Sequence, residues 1–181
     1  AGVRGQAWRP RPGPGGCTAA AGVVPPPARF WPAVAYVARR DDTLVRELLA
    51  NHLRNPRHYG ELPDPDIEWQ TENPQCVGPT HPEGDRVTLR ATRTDADPPV
   101  VEAVRFTGAG CTLSQASASL LAERLVGTPV DEALEWDRDT IEDLVGMDLT
   151  PSRLRCAELA LLAFGQGIDD YGVVGDEADS A

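Results

Sequence analysis

Cys76, Cys111 and Cys156 each sit in a local setting suited to holding a thiolate. Cys76 follows the turn-like run Asn73-Pro74-Gln75. Cys111 closes Gly108-Ala109-Gly110 and opens a small-residue segment, Thr112 to Ser119, that reads as a helix. Cys156 lies near the start of an apolar helix, behind Arg153 and Arg155. Intervals of 35 and 45 residues place the thiols on three separate elements. Thiols converging from distant elements suit a metal or sulfur-transfer site better than a local redox pair. Thiolates are the usual ligands of iron–sulfur clusters and common ligands of zinc, and zinc sites normally take four donors. Three cysteines therefore call for a fourth donor.

Cys111 is the best placed for chemistry. The glycines before it allow a tight backbone turn, and the helix after it brings its positive end to the sulfur, where negative charge is favoured. Such a cysteine can ligate a metal or accept a persulfide sulfur. Arg153 and Arg155 offer permanent positive charge and several donors to thiolates or a persulfide; either can also be a plain surface charge. Ser114, Ser117 and Ser119 have no histidine or acid placed to activate them, so they read as small residues permitting close packing. His52 reads as a helix-face residue and His58 as a turn residue.

The elements that must position these residues follow from periodicity. A helix capped by Asp42 or Thr43 presents Leu44, Leu48, Leu49 and Leu53 as its apolar face and stops at Asn55-Pro56. Strands are expected over 66–72, 85–94 and 100–107, and Arg86-Val87-Thr88-Leu89-Arg90 alternates as a half-buried strand should. Gly127 ends the helix after Cys111, and Thr128-Pro129 starts another. A short acidic helix over 137–144 ends at Gly146. Thr150-Pro151 begins a last helix, apolar at Leu154, Ala157 and Leu161 and again at Leu159 and Leu162, and therefore expected to be largely buried. Strands followed by helices predict an α+β domain.

The whole chain sets limits on function. Residues 1–40 hold six arginines and no acid, while residues 41–181 hold eleven arginines against 28 acids. Lysine is absent and the pI is near 4.6. Such an acidic surface opposes nucleic-acid and anionic-membrane binding, and suits a salt-rich cytoplasm or a GC-rich genome. No apolar run reaches the roughly 18 residues needed to span a bilayer. Four cysteines without an even framework do not suit a disulfide-stapled secreted domain, so a cytoplasmic location is expected. Seven prolines and six glycines make residues 1–40 a disordered extension in this reading, with Cys17 outside the site. The ordered domain is expected over 41–168 and an acidic tail over 169–181.

Several stretches carry a family resemblance: Asn55-Pro56-Arg57-His58-Tyr59-Gly60, Asn73-Pro74-Gln75-Cys76, Gly84-Asp85-Arg86-Val87, Gly108-Ala109-Gly110-Cys111 running to Ser119, and Arg153-Leu154-Arg155-Cys156-Ala157. Over residues 43 to 164 the chain resembles the scaffold family of iron–sulfur cluster assembly, the IscU/SufU/NifU N-terminal group. The resemblance implies a SufE/NifU-like fold, with a three-stranded antiparallel sheet packed against helices. It implies Asp85 as the fourth ligand beside Cys76, Cys111 and Cys156, although a lone Asp there could simply begin a strand. Relatives run from Cys directly to Gly-Asp, whereas here 77–83 intervene and bring His81 as an alternative fourth ligand. An oxygen donor among sulfurs is held more weakly, which suits release of an assembled product.

The implied role is a scaffold or sulfur acceptor more than a self-contained enzyme. It would receive sulfur from a SufS- or IscS-like cysteine desulfurase, assemble a [2Fe–2S] or [4Fe–4S] cluster, and pass it to apo iron–sulfur proteins. The alternative is a zinc-dependent, SufU-like sulfurtransferase, in which Cys111 or Cys156 takes the persulfide and Arg153 faces the site. Arg155 stands where IscU-like members carry histidine, so features of both subgroups mix in one chain. An interaction module with a purely structural zinc is the third reading.

Overall fold

The computed structural model describes residues 42–178. The readings made for residues 1–40 lie outside the described residues, as does the end of the acidic tail at 179–181. In chain order the elements are α1 (Asp42–Arg54), β1 (Ile67–Asn73), β2 (Asp85–Arg93), β3 (Val101–Ala109), α2 (Thr112–Leu125), α3 (Val130–Leu134), α4 (Arg138–Val145), α5 (Pro151–Ala157) and α6 (Leu159–Ala178). Among the described residues the strands form one antiparallel sheet in the order β1-β2-β3, so the architecture is α+β, as expected. None of the described helices is long and apolar enough to cross a membrane.

One face of the sheet makes the core. Val87, Leu89 and Ala91 of β2 are fully buried, flanked by Ile67 of β1 and by Val104 and Phe106 of β3. A register shift between Thr92 and Arg93 turns Val101 inward as well, although it lies three residues from Val104. The other face carries ion pairs, Arg86 with Glu72 and Arg90 with Glu61 and Glu68. Each such exposed pair contributes about 0–1 kcal/mol, whereas burying a side chain such as Phe106 contributes about 1.5–3 kcal/mol. The apolar face therefore decides the strand orientation.

Helix α6 packs across β1 and β2, and α2 packs on β3 and also meets α1, α4, α5 and α6. That central place explains its composition, because Ala116, Ser117, Ala118 and Ser119 are all fully buried and admit neighbours on several sides. Asp137 caps α4 in a reciprocal box with Thr140, and Gly146 ends it in the left-handed conformation at φ 82°.

Five expectations are corrected. The buried stripe of α1 is Val45, Leu49 and His52, while Leu44, Leu48 and Leu53 are 53%, 36% and 39% exposed. Among the helices α1 packs chiefly on α2, so a narrow i, i+4, i+7 stripe suffices, and a buried hydrogen bond draws His52 into it. Thr128 does not cap α3; its hydroxyl donates to the Arg124 carbonyl at 2.8 Å, and Pro129 holds the cap position. The last helix is two helices, since α5 closes at Glu158 and α6 starts at Leu159. Cys156 thus lies in the final turn of α5 rather than near a helix start. Leu162 is 44% exposed, because α6 turns that side away from the sheet.

The segment after α1 is tied at both ends. His58 takes the left-handed conformation at φ 59°, Gly60 N–H donates to the Phe106 carbonyl at 2.9 Å, and Phe106 N–H donates to the His58 carbonyl at 3.0 Å. Ser119 Oγ lies 2.9 Å from His52 Nδ1 and accepts the Arg57 N–H at 2.8 Å. Burial first, and then the Arg57 guanidinium, holds the His52 imidazole below its ordinary value, with Glu123 pulling weakly the other way. Ser119→Ala removes the partner of the buried His52 Nδ1 and of the part-buried Arg57 N–H and should destabilise the fold by about 1–3 kcal/mol, measured as a lower urea midpoint. An unchanged midpoint would show that this tie contributes nothing.

Candidate metal centre

Strand register gathers the site. Asn73 pairs with Asp85 where β1 ends and β2 begins, and Arg86 pairs with Ala109 where β3 ends. The loop after β1, the start of β2 and the residues after β3 therefore meet at one end of the sheet. The first carries Cys76, the second Asp85 and the third Cys111. Helix α5 contacts α2 and brings Cys156 to the same end. The three Sγ atoms and a carboxylate oxygen of Asp85 lie within 4.8 Å of one another. Three soft sulfurs and one oxygen make a donor set that suits zinc or a cluster-bound iron.

Asp85 is 1% exposed and its two oxygens have different partners. Oδ1 accepts the Cys111 N–H at 2.7 Å, and Oδ2 lies 3.2 Å from Cys111 Sγ, whose thiol donates to it. Cys111 is the N-cap of α2, and its sulfur accepts the Ser114 N–H at 3.5 Å. Gly110 is required for this approach, because a Cβ there would meet Asp85 Oδ1 at 2.9 Å and press on Ser114 Oγ. At Gly108 a Cβ would collide with the Arg86 carbonyl of the neighbouring strand. Both glycines before Cys111 are thus explained by close backbone and carboxylate contacts.

Cys156 is buried and its sulfur accepts the Asn73 Nδ2–H at 3.3 Å. Asn73 reads as a turn residue in the sequence; its inward place at the end of β1 is what turns it into a sulfur partner. Burial pushes the Cys76 thiol up to about 11, with Cys156 pulling it down and Asp85 and Cys111 pushing it further up. Burial, then the Asp85 carboxylate and Cys76, push the Cys156 thiol up as well. At neutral pH both are thiols until a cation draws off their protons.

A pocket of about 410 Å³ opens over the sulfurs, with Arg153 and Arg155 on its wall. Arg155 Nη1 donates to Gln75 Oε1 at 2.6 Å, linking α5 to the turn before Cys76. His81 is outside the group of four, and its Nε2 lies 3.6 Å from Asp85 Oδ1. Ser114 serves the local turn, its hydroxyl donating to the Cys111 carbonyl at 3.0 Å.

Comparison with known proteins gives one family. Residues 45–176 match the family model described as the NifU-like N terminal domain. The chain is 33% identical over 144 residues to the zinc-dependent sulfurtransferase SufU of Bacillus subtilis, covering 70% of this chain and 90% of that one. It is 33% identical over 126 residues to the iron–sulfur cluster assembly scaffold protein IscU of Aquifex aeolicus, covering 69% and 74%. Its fold is similar to the crystal structure of a nitrogen-fixing NifU-like protein (N-terminal) from Brucella abortus, with a TM-score of 0.54 at 18% identity over 76% of this chain and 96% of that one. With its sheet, its glycine-led Cys111 and its gathered thiols in view, the chain belongs to the NifU-like N-terminal domain family.

Proposed function

We propose that this protein is a scaffold for iron–sulfur cluster assembly, its cluster carried on Cys76, Asp85, Cys111 and Cys156. Sulfur comes from a SufS- or IscS-like cysteine desulfurase, and the cluster, as cargo, passes to apo iron–sulfur proteins in the cytoplasm. The observation that supports this most is the meeting of three thiols and one carboxylate within 4.8 Å. Relatives named as scaffolds support it too. The open pocket suits handover, and the single oxygen donor, harder than the three sulfurs beside it, is the most readily released of the four.

A second reading keeps the same residues and has zinc at rest. Its motivation is Arg153 and Arg155 beside the sulfurs, together with the relative named a zinc-dependent sulfurtransferase. Here the thiolate of Cys111 or Cys156 attacks the outer sulfur of the desulfurase persulfide. The S–S bond breaks and the desulfurase leaves as a thiolate. Arg153 and Arg155 steady the negative sulfur during transfer. Strong stimulation of a desulfurase by the zinc form, together with failure to carry a cluster, would favour this reading over the first.

Anaerobic reconstitution with iron and sulfide should give visible absorbance that is lost in Cys76→Ser, Cys111→Ser and Cys156→Ser. A colourless protein that holds zinc tightly would count against the scaffold. A second expectation follows from the raised thiols. The unfolded chain has ordinary thiols near 9.0, whereas folded Cys76 titrates at about 11. The stability that this thiol contributes to the metal-free protein is therefore fully present below about 9 and is lost as pH rises through about 11. Urea midpoints across that window should fall in the wild type and fall less in Cys76→Ala. Equal slopes would show that burial of this thiol does not govern the profile.

A further inference from the structure

The seven residues between Cys76 and Gly84 build a turn around a single side chain. Gly78 N–H donates to the His81 carbonyl at 3.2 Å and His81 N–H donates to the Gly78 carbonyl at 3.1 Å. Gly84 N–H donates to the same His81 carbonyl at 3.1 Å, so the turn is fastened to the start of β2. Pro79, Thr80, Pro82 and Glu83 are exposed, but the His81 side chain is only 10% exposed. Its ring folds over Gly78, where a Cβ would come within 2.6 Å of Cε1. Only glycine at 78 leaves room for that inward pose.

The inward pose serves Asp85. His81 Nε2 lies 3.6 Å from Oδ1, the oxygen already held by the Cys111 N–H, while Oδ2 faces the sulfur. Thr80 Oγ1 lies 3.1 Å from Nδ1; with the hydroxyl donating, the ring proton sits on Nε2, the nitrogen 3.6 Å from the Asp85 carboxylate. The Cys111 N–H donates to Oδ1 and the His81 ring stands 3.6 Å from the same oxygen, so both crowd Oδ1 and leave Oδ2 as the oxygen offered to a metal.

We infer that His81 is a positioning residue for Asp85, acting through the carboxylate and not as a fourth ligand in its own right. This rests on the metal-binding reading above and adds a partner outside the group of four. Such outer partners hold a ligating carboxylate in one orientation, and losing one typically costs 10–100-fold in metal affinity. The inserted turn is thus a device for aiming Asp85.

The test is zinc affinity by chelator competition, with cobalt(II) spectra as a second readout, on full-length wild type, His81→Ala, His81→Gln, Asp85→Asn and the double variant His81→Ala/Asp85→Asn. His81→Ala should bind zinc about 10–100-fold more weakly. Its thiolate-to-cobalt charge-transfer intensity should stay unchanged and its d–d bands should shift, because three sulfurs remain and the oxygen is loosened. His81→Gln retains a donor near the Nε2 position and should recover most of the affinity. In the Asp85→Asn background, His81→Ala should cost little more. Wild-type affinity in a folded His81→Ala overturns the inference, as does an equal loss with and without Asp85. Wild-type protein that binds neither ion overturns this inference, while the scaffold stands or falls separately on reconstitution with iron and sulfide.

Discussion

Antiparallel register at one end of the sheet is the constraint on which the site depends. Pairing of Asn73 with Asp85, and of Arg86 with Ala109, fixes where β1 stops, where β2 starts and where β3 stops. A one-residue slip would invert every side chain on the strand concerned. Val87, Leu89 and Phe106 would leave the core, and Asp85 would face away from Cys111. Burial of the apolar face thus sets the carboxylate and the sulfurs in place without any interaction specific to metal. The site is inherited from the core.

Holding the donors together has an electrostatic cost. Cys76 and Cys156 are desolvated beside a buried carboxylate and another thiol, and both titrate high as a result. Three thiolates and a carboxylate in one small volume would repel strongly, so without a cation the Cys76 and Cys156 thiols keep their protons. Cys111 supplies both an N–H and an S–H to the Asp85 oxygens. Asn73 performs the same service for the sulfur of Cys156. These donors satisfy the buried oxygens and sulfur of the pocket before any cation arrives.

Much of this was legible in the residues. The alternation Arg86-Val87-Thr88-Leu89-Arg90 gives the central strand, and Gly-Ala-Gly-Cys before a run of small residues gives the cap of α2. Where reading failed, tertiary contact overruled local pattern. Leucines at 44, 48 and 53 look like a buried face, but α2 meets the other side of α1, and a histidine enters the core because Ser119 satisfies it. The division at Glu158 has no glycine or proline to mark it, so Cys156 seemed to start a helix that it nearly ends. Hydrogen bonds to sulfur from Asn73 carry no sequence signal, since a turn asparagine looks the same.

The turn closed between Gly78 and His81 stands outside the ladder of the sheet. Its length can therefore vary without disturbing any strand pair. Distance from cysteine to acid along the polypeptide is then a poor ruler for comparing chains of this kind. The first residue of the middle strand is the carboxylate whatever lies in between, and alignments anchored on that point will not mistake an excursion for a lost acid.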